Sequence, residues 1–156
     1  MTPEEKLIHS FYSAFQTRDY RTMQASYADH ATFSDPVFRD LNASQVRAMW
    51  EMFLVKNKSL TIDYTSVEFM GATVTANWTA EYVLTTTGRS VTNEIKAEFR
   101  VEAGKITEHT DRFDFYRWTR QALGIKGVLL GWTPFVKRKI RRSARATLNS
   151  YIKNRA

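Results

Sequence analysis

Three side chains in this sequence of 156 residues have the types and positions to move protons in an apolar setting: Asp35, His109 and Asp111. Asp35 ends the alternating run Ala31-Thr32-Phe33-Ser34-Asp35, in which Ala31, Phe33 and Asp35 share one face of an extended chain that Pro36 stops. Thr107, His109, Asp111, Phe113 and Phe115 share one parity of a later strand, so an imidazole and a carboxylate point the same way as two phenylalanines. A carboxyl group set in an apolar wall has its pKa raised towards neutrality, as abstraction of a proton from carbon requires. Each residue also has a plainer reading. Asp35 before Pro36 can serve a turn by accepting from nearby backbone amides, and His109 with Asp111 can be a satisfied core pair. Polar groups on the inner face of three separate segments favour a site, because buried carboxylates without partners are costly.

Composition narrows the chemistry further. There is no cysteine, which removes disulfides, thiolate metal sites, iron–sulfur clusters and cysteine nucleophiles, and leaves three histidines as imidazole candidates. Neither a metal nor an organic cofactor is expected. With 43% hydrophobic and 25% charged residues the chain can bury a sizeable core. No apolar run is long enough to span a membrane and the N-terminus is acidic, so the cytoplasm is the expected compartment. The net charge of +7 is unevenly spread. Residues 1–114 carry 12 Lys/Arg and all 16 Asp/Glu, whereas residues 115–156 carry 11 Lys/Arg and no acid.

The elements that must position the polar groups are legible in the periodicity. Thr2-Pro3-Glu4-Glu5 is a helix start, and Leu7, Phe11 and Phe15, with Ile8 and Tyr12 beside them, form an apolar face to about Thr17. Asp19 caps a short second helix through Met23 and Tyr27, and Asn42 caps a third with Val46, Met49, Trp50 and Phe53 on its buried side. From Ser59 the period changes to two. Four strands are expected, Leu60–Met70, Thr73–Thr86, Val91–Val101 and Ile106–Trp118, followed by a short helix that ends at Gly124. Trp78 and Tyr82 fall on the inward parity of the second, Asn93 on that of Ile95 and Phe99. Helices followed by an antiparallel meander argue an α+β fold with helices packed on one face of a curved sheet. If the helices leave the concave side partly unfilled, Tyr12, Trp50, Trp78, Tyr82 and Asn93 are the candidate substrate-binding residues.

Three stretches together resemble the nuclear-transport-factor-2-like superfamily, which includes ketosteroid isomerase, SnoaL-type polyketide cyclases and limonene epoxide hydrolase. They are Phe11-Tyr12-Ser13-Ala14-Phe15 with Asp19, the run from Tyr27 to Val37, and Ile106-Thr107-Glu108-His109-Thr110-Asp111-Arg112-Phe113-Asp114. The resemblance implies a cone of helices and curved sheet around a pocket, over residues 1–124, with dimerisation through the outer sheet face. It places Asp35 where ketosteroid isomerase keeps its proton-shuttling base. The isomerase's tyrosine and protonated aspartate would fall at Phe11 and about Ala97, so both of those donors are missing. The SnoaL-like cyclases, with a histidine and an aspartate on the closing strands, match His109 and Asp111 better. Asp111, Arg112 and Asp114 have the residue types of the epoxide-hydrolase relay but the wrong parity.

Residues 125–156 form a basic extension. Val128-Leu129-Leu130-Gly131-Trp132-Thr133-Pro134-Phe135 reads as an apolar anchor, and Thr133 can cap a helix in which Val136, Ile140, Ala144, Leu148 and Ile152 recur every four residues among cations. The expectation is that this stripe packs on the body, with an anionic membrane surface as the second choice; no nucleic-acid motif is present. The expected partners are an apolar or hydroxylated small molecule and a second copy of the chain. The expected function is acid–base chemistry on that molecule by Asp35, Asp111 and His109, of isomerase, cyclase or hydrolase type. The alternative is a non-catalytic ligand-binding or assembly domain.

Overall fold

The computed structural model describes residues 1–155. Its first helix, α1 (Pro3–Gln16), starts on a capping box: Thr2 Oγ1 accepts from the Glu5 amide at 3.1 Å, and Glu5 Oε2 accepts from the Thr2 amide at 2.9 Å. Helix α2 (Tyr20–Ala25) is capped by Asp19, and α3 (Ala43–Lys56) by a second box between Asn42 and Gln45. Strands β1 (Tyr27–Ser34), β2 (Leu41–Asn42), β3 (Thr61–Met70), β4 (Thr73–Leu84), β5 (Arg89–Glu102) and β6 (Lys105–Arg112) form one sheet in the order β2-β1-β6-β5-β4-β3. Three further helices follow, α4 (Phe115–Leu123), α5 (Ile125–Leu130) and α6 (Pro134–Arg155).

The sheet is a curved open layer with the first three helices on its concave side. Ile8, Phe11, Tyr12 and Phe15 of α1 and Val46, Met49 and Trp50 of α3 meet Val74, Ala76, Trp78, Ile95 and Phe99 of the sheet in one core. Interruptions of register in β3 between Thr65 and Glu68, and in β5 between Arg100 and Val101, let the long strands bend. Arg18, with φ of 64°, turns back at the end of α1 and donates to the carbonyls of Leu54, Asn57 and Leu60, tying down the end of α3.

The structure departs from the sequence reading in several places, the first being that α2 ends at Ala25 and Tyr27, expected in that helix, opens β1. The sheet is mixed, because β1 runs parallel to β6, with Phe33 opposite His109. The last strand stops at Arg112: Asp114 accepts from the Arg117 amide at 3.0 Å and so starts a helix at Phe115, where an unbroken strand to Trp118 was expected. An extra helix, α5, opens the basic extension at Ile125 and takes in the first three residues of the apolar anchor, Val128 to Leu130. The basic extension is packed on the body, with Leu148 fully buried in the core and Tyr151 donating to Glu51 Oε2 at 2.7 Å.

Candidate active site

Asp35 sits just past the end of β1, where the chain turns. Its own amide donates to the Phe38 carbonyl at 2.7 Å, while Oδ1 accepts from the Val37 and Phe38 amides at 2.7 and 2.6 Å. The turn therefore uses Oδ1 and leaves Oδ2 as the oxygen suited to proton transfer. Burial pushes the Asp35 carboxyl up to about 7; the charge of Asp111 acts in the same sense, and the two amides and Arg141 oppose it. Arg141 is held beside this turn by donating from Nε to the Pro36 carbonyl at 2.8 Å.

Four side chains from three elements form a second, buried assembly. Trp50 Nε1 can only donate, and lies 2.8 Å from Tyr27 Oη. The tyrosine oxygen thus accepts from Trp50 and gives its own proton to His109 Nδ1, 2.7 Å away. That makes Nδ1 the acceptor and Nε2–H the donor to Asp111 Oδ1 at 2.9 Å, an assignment of tautomer that satisfies every member. Trp78 Nε1 approaches the same carboxylate oxygen at 3.4 Å. His109 is clamped between rings, 4.0 Å from Phe99 and 4.9 Å from Phe33.

Asp35 and Asp111 line one cavity of about 250 Å³, together with Trp50, Trp78, Tyr82 and Asn93. The rest of its wall is almost entirely apolar: Met49, Met52 and Phe53 from α3, Phe113 after β6, Trp118 from α4, and Ile140 and Ala144 from α6. Trp118 Nε1 donates to Tyr82 Oη at 2.8 Å, so the phenolic proton of Tyr82 is left available to another acceptor. Burial, reinforced by the charge of Asp35, raises the Tyr82 pKa and keeps the phenol protonated. The cavity thus presents one titrating carboxyl, a second carboxylate at the end of a buried relay, a phenol and two carboxamides, of which Asn57 already donates to the Phe53 carbonyl and Asn93 does not.

Two of the residues assigned to the site from sequence stand elsewhere. His109 does not reach the cavity; it lies behind Asp111, because the ring is drawn to Tyr27 on one side and Asp111 on the other. Tyr12 is fully buried in the core, stacked on Tyr64 at 5.0 Å, and does not line the cavity; its hydroxyl is without a hydrogen-bond partner among the described residues. Sequence reasoning missed Tyr27, Trp118, Ile140 and Ala144 as functional positions. A signal existed for Trp118, since Phe115, Trp118, Thr119 and Ala122 have helical spacing. Tyr27 was hidden because the sequence reads it as part of the second helix, whereas α2 ends at Ala25 and Tyr27 opens β1 on the buried parity of Ala31 and Phe33. Among the described residues no group of three or more His, Asp or Glu side chains is placed to hold a metal ion.

Comparison with solved structures finds the same fold at low identity. A protein of the nuclear-transport-factor-2-like kind from Burkholderia thailandensis superposes with a TM-score of 0.68 at 20% identity, covering 79% of this chain and 98% of its own. The candidate polyketide cyclase IdmH from Streptomyces antibioticus gives 0.65 at 20%, covering 80% and 100%, and an epoxide hydrolase of the LEH-like kind from M. tuberculosis gives 0.63 at 18%, covering 85% and 96%. No curated protein sequence is significantly similar to the chain. The SnoaL-like domain family matches residues 8–109, which hold α1 from Ile8 onward, α2, α3, five strands and the start of the sixth, and the chain belongs to that family.

Proposed function

We propose that the chain is an enzyme that moves a proton to and from carbon in an apolar or hydroxylated small molecule, in an isomerase-like or cyclase-like reaction. The observation that carries this is Asp35: a carboxyl with its pKa at about 7, facing an apolar cavity with Asp111 in the same wall. Asp35 Oδ2 takes the proton from a carbon made acidic by a neighbouring carbonyl. The Tyr82 phenol and the Asn93 carboxamide are the groups able to donate to the oxygen where charge develops. Asp111, fixed by His109 and Trp78, returns or accepts a proton at a second position, with Tyr27 and Trp50 holding the histidine tautomer. Belonging to the SnoaL-like family supports a small-molecule substrate.

The test needs no knowledge of the final product. Exchange of α-hydrogens for deuterium in a panel of polycyclic ketones and β-diketones, followed by NMR in D2O, reads the base chemistry directly. Exchange should rise tenfold per pH unit below about 7 and level off above it, and Asp35→Asn should abolish it while Trp118→Phe lowers it only in part. Exchange undiminished in Asp35→Asn counts against the reading. A ligand-binding domain without catalysis is the second reading, favoured by the two backbone amides that already occupy Asp35 Oδ1; it predicts saturable binding of the same ketones with no exchange. The proposed assembly is a homodimer through the outer face of β5, where Glu94, Lys96, Glu98 and Arg100 alternate in sign and can meet their own copies across a two-fold axis.

A further inference from the structure

Helix α5 is packed the wrong way round for a globular protein. Its close face is glycine: a Cβ at Gly127 would collide with the Thr119 carbonyl, and one at Gly131 with Thr119 Oγ1 and the Gly127 carbonyl. These glycines let α5 lie directly on α4, and Tyr116 Oη fixes the contact by donating to the Val128 carbonyl at 2.7 Å. The bulky side chains are consequently turned outward. Ile125, Val128, Leu129, Leu130, Trp132 and Phe135 are 50–79% exposed, a run of large apolar residues that a chain meant only for water would bury.

Cations share the exposed face of α6 with Phe135. Arg138, Lys139 and Arg142 follow Phe135 at i+3, i+4 and i+7, so the exposed face of α6 continues the apolar run with positive charge, and all three are exposed. The opposite face of α6, with Ile140, Ala144 and Leu148, is the one packed on the body. Lys126 adds a fourth exposed cation within α5, and no acid occurs from residue 115 onward. We propose that residues 125–142 are a docking surface for an anionic phospholipid bilayer, with Leu129, Trp132 and Phe135 entering the interface and the four cations meeting lipid phosphates. The apolar run argues against nucleic acid, which would need the charge and not the exposed leucines, and the unrelieved positive charge argues against a second copy, since like patches would face each other. The surface is close to the cavity: Ile140 in the cavity wall is five residues, about 7.5 Å of helix rise, beyond Phe135. Docking does not depend on the reaction proposed above.

Flotation of the full chain with phosphatidylcholine vesicles and with vesicles containing 30 mol% phosphatidylglycerol tests this. Binding should be confined largely to the anionic vesicles and fall steeply between 50 and 500 mM NaCl. Because each basic residue near an anionic surface is worth about fivefold in partitioning, Arg138→Gln, Lys139→Gln and Arg142→Gln together should weaken it about 100-fold. Leu129→Glu with Phe135→Glu should abolish binding and leave circular dichroism unchanged, since both side chains are exposed. Trp132 is the exposed tryptophan, and its emission should shift to the blue on binding and be quenched by brominated lipid. Absence of flotation with anionic vesicles overturns the proposal. So does flotation untouched by Leu129→Glu with Phe135→Glu, self-association lost in that variant without vesicle binding, or a higher affinity for duplex DNA than for the vesicles.

Discussion

Asp35→Asn should make the protein more stable, and only in one range of pH. The folded state holds the Asp35 proton up to about pH 7, whereas the unfolded chain releases it near its ordinary value of 3.8. Between those limits the folded state binds more protons, so the contribution of this group to stability is full below about 3.8 and is lost as pH rises through about 7. A shift of about three units at ~1.36 kcal/mol each sets a ceiling of ~4 kcal/mol, and half-burial with solvent screening brings the working figure to ~2 kcal/mol. The asparagine Oδ1 can accept from the Val37 and Phe38 amides as the carboxylate does, so the turn is retained. At ~2–4 °C per kcal/mol for a domain of this size, the variant should melt ~4–8 °C above the parent at pH 8 and at nearly the same temperature at pH 3.5. Thermal scans of both proteins from pH 3.5 to 8.5 check this, with the gap opening between about pH 4 and 7 and flat above. Parallel curves would show that Asp35 has an ordinary pKa. A variant less stable than the parent at pH 8 would mean that the carboxylate is held by its amides more strongly than burial disfavours it, and the general-base reading would go with it.

Tyr27→Phe leaves Trp50 Nε1–H and His109 Nδ1 without their shared partner, and each buried orphan costs about 1–3 kcal/mol, so chemical denaturation should show a loss of at least ~2 kcal/mol with the cavity intact. Truncation after Thr133 removes Leu148 from the core and Ile140 and Ala144 from the cavity wall; since losing one buried leucine alone costs about 2–5 kcal/mol, the melting temperature should drop by several degrees with little dependence on salt. An unchanged melting temperature would mean that α6 is not held on the body in solution. Light scattering at micromolar concentration should give twice the chain mass of 18.1 kDa, and reversal of the β5 ladder by Glu94→Lys with Glu98→Lys should return the monomer; a single-chain mass for the parent would remove the proposed dimer.

What was legible in the sequence follows from how local each signal is. The Thr2–Glu5 capping box, the Asn42 cap and the parity of β4 and β5 are written in neighbouring residues, and the structure keeps them: Val74, Ala76, Trp78 and Ala80 are buried on one side, and Ile95, Ala97 and Phe99 likewise. Asp111 was found because alternation in β6 is unbroken from Thr107 onward, past the irregularity at Ile106 and Thr107. The plain reading of Asp35 as a turn residue and the chemical reading of it as a cavity carboxyl are both visible, on different oxygens of one side chain. The end of β6 was not legible by alternation, because Asp114 has a strand-like neighbourhood until its cap to the Arg117 amide is seen. His109 shows the limit of parity most clearly. Pointing inward is a property of one strand, while reaching a cavity depends on which partners a side chain meets first, and Tyr27 comes from a strand eighty residues earlier that pairs with β6 in parallel.

The family match ends at His109, and the cavity does not. Asp111, Phe113, Trp118, Ile140 and Ala144 all lie beyond that point, so the segment after the matched domain supplies one carboxylate and a wall of the cavity. The half built by α1, α3 and the sheet would be an open bowl with Asp35 at its rim. Trp118 fixes the Tyr82 phenol, Arg141 holds the Asp35 turn through the Pro36 carbonyl, and Ile140 with Ala144 closes the space above them. These contacts give the extension a direct hold on both the carboxyl that titrates and the hydroxyl proposed to oppose it. A surface that docks residues 125–142 would therefore act on the same helix that shapes the cavity, and that helix, like α4, lies beyond the residues 8–109 that the SnoaL-like family model matches.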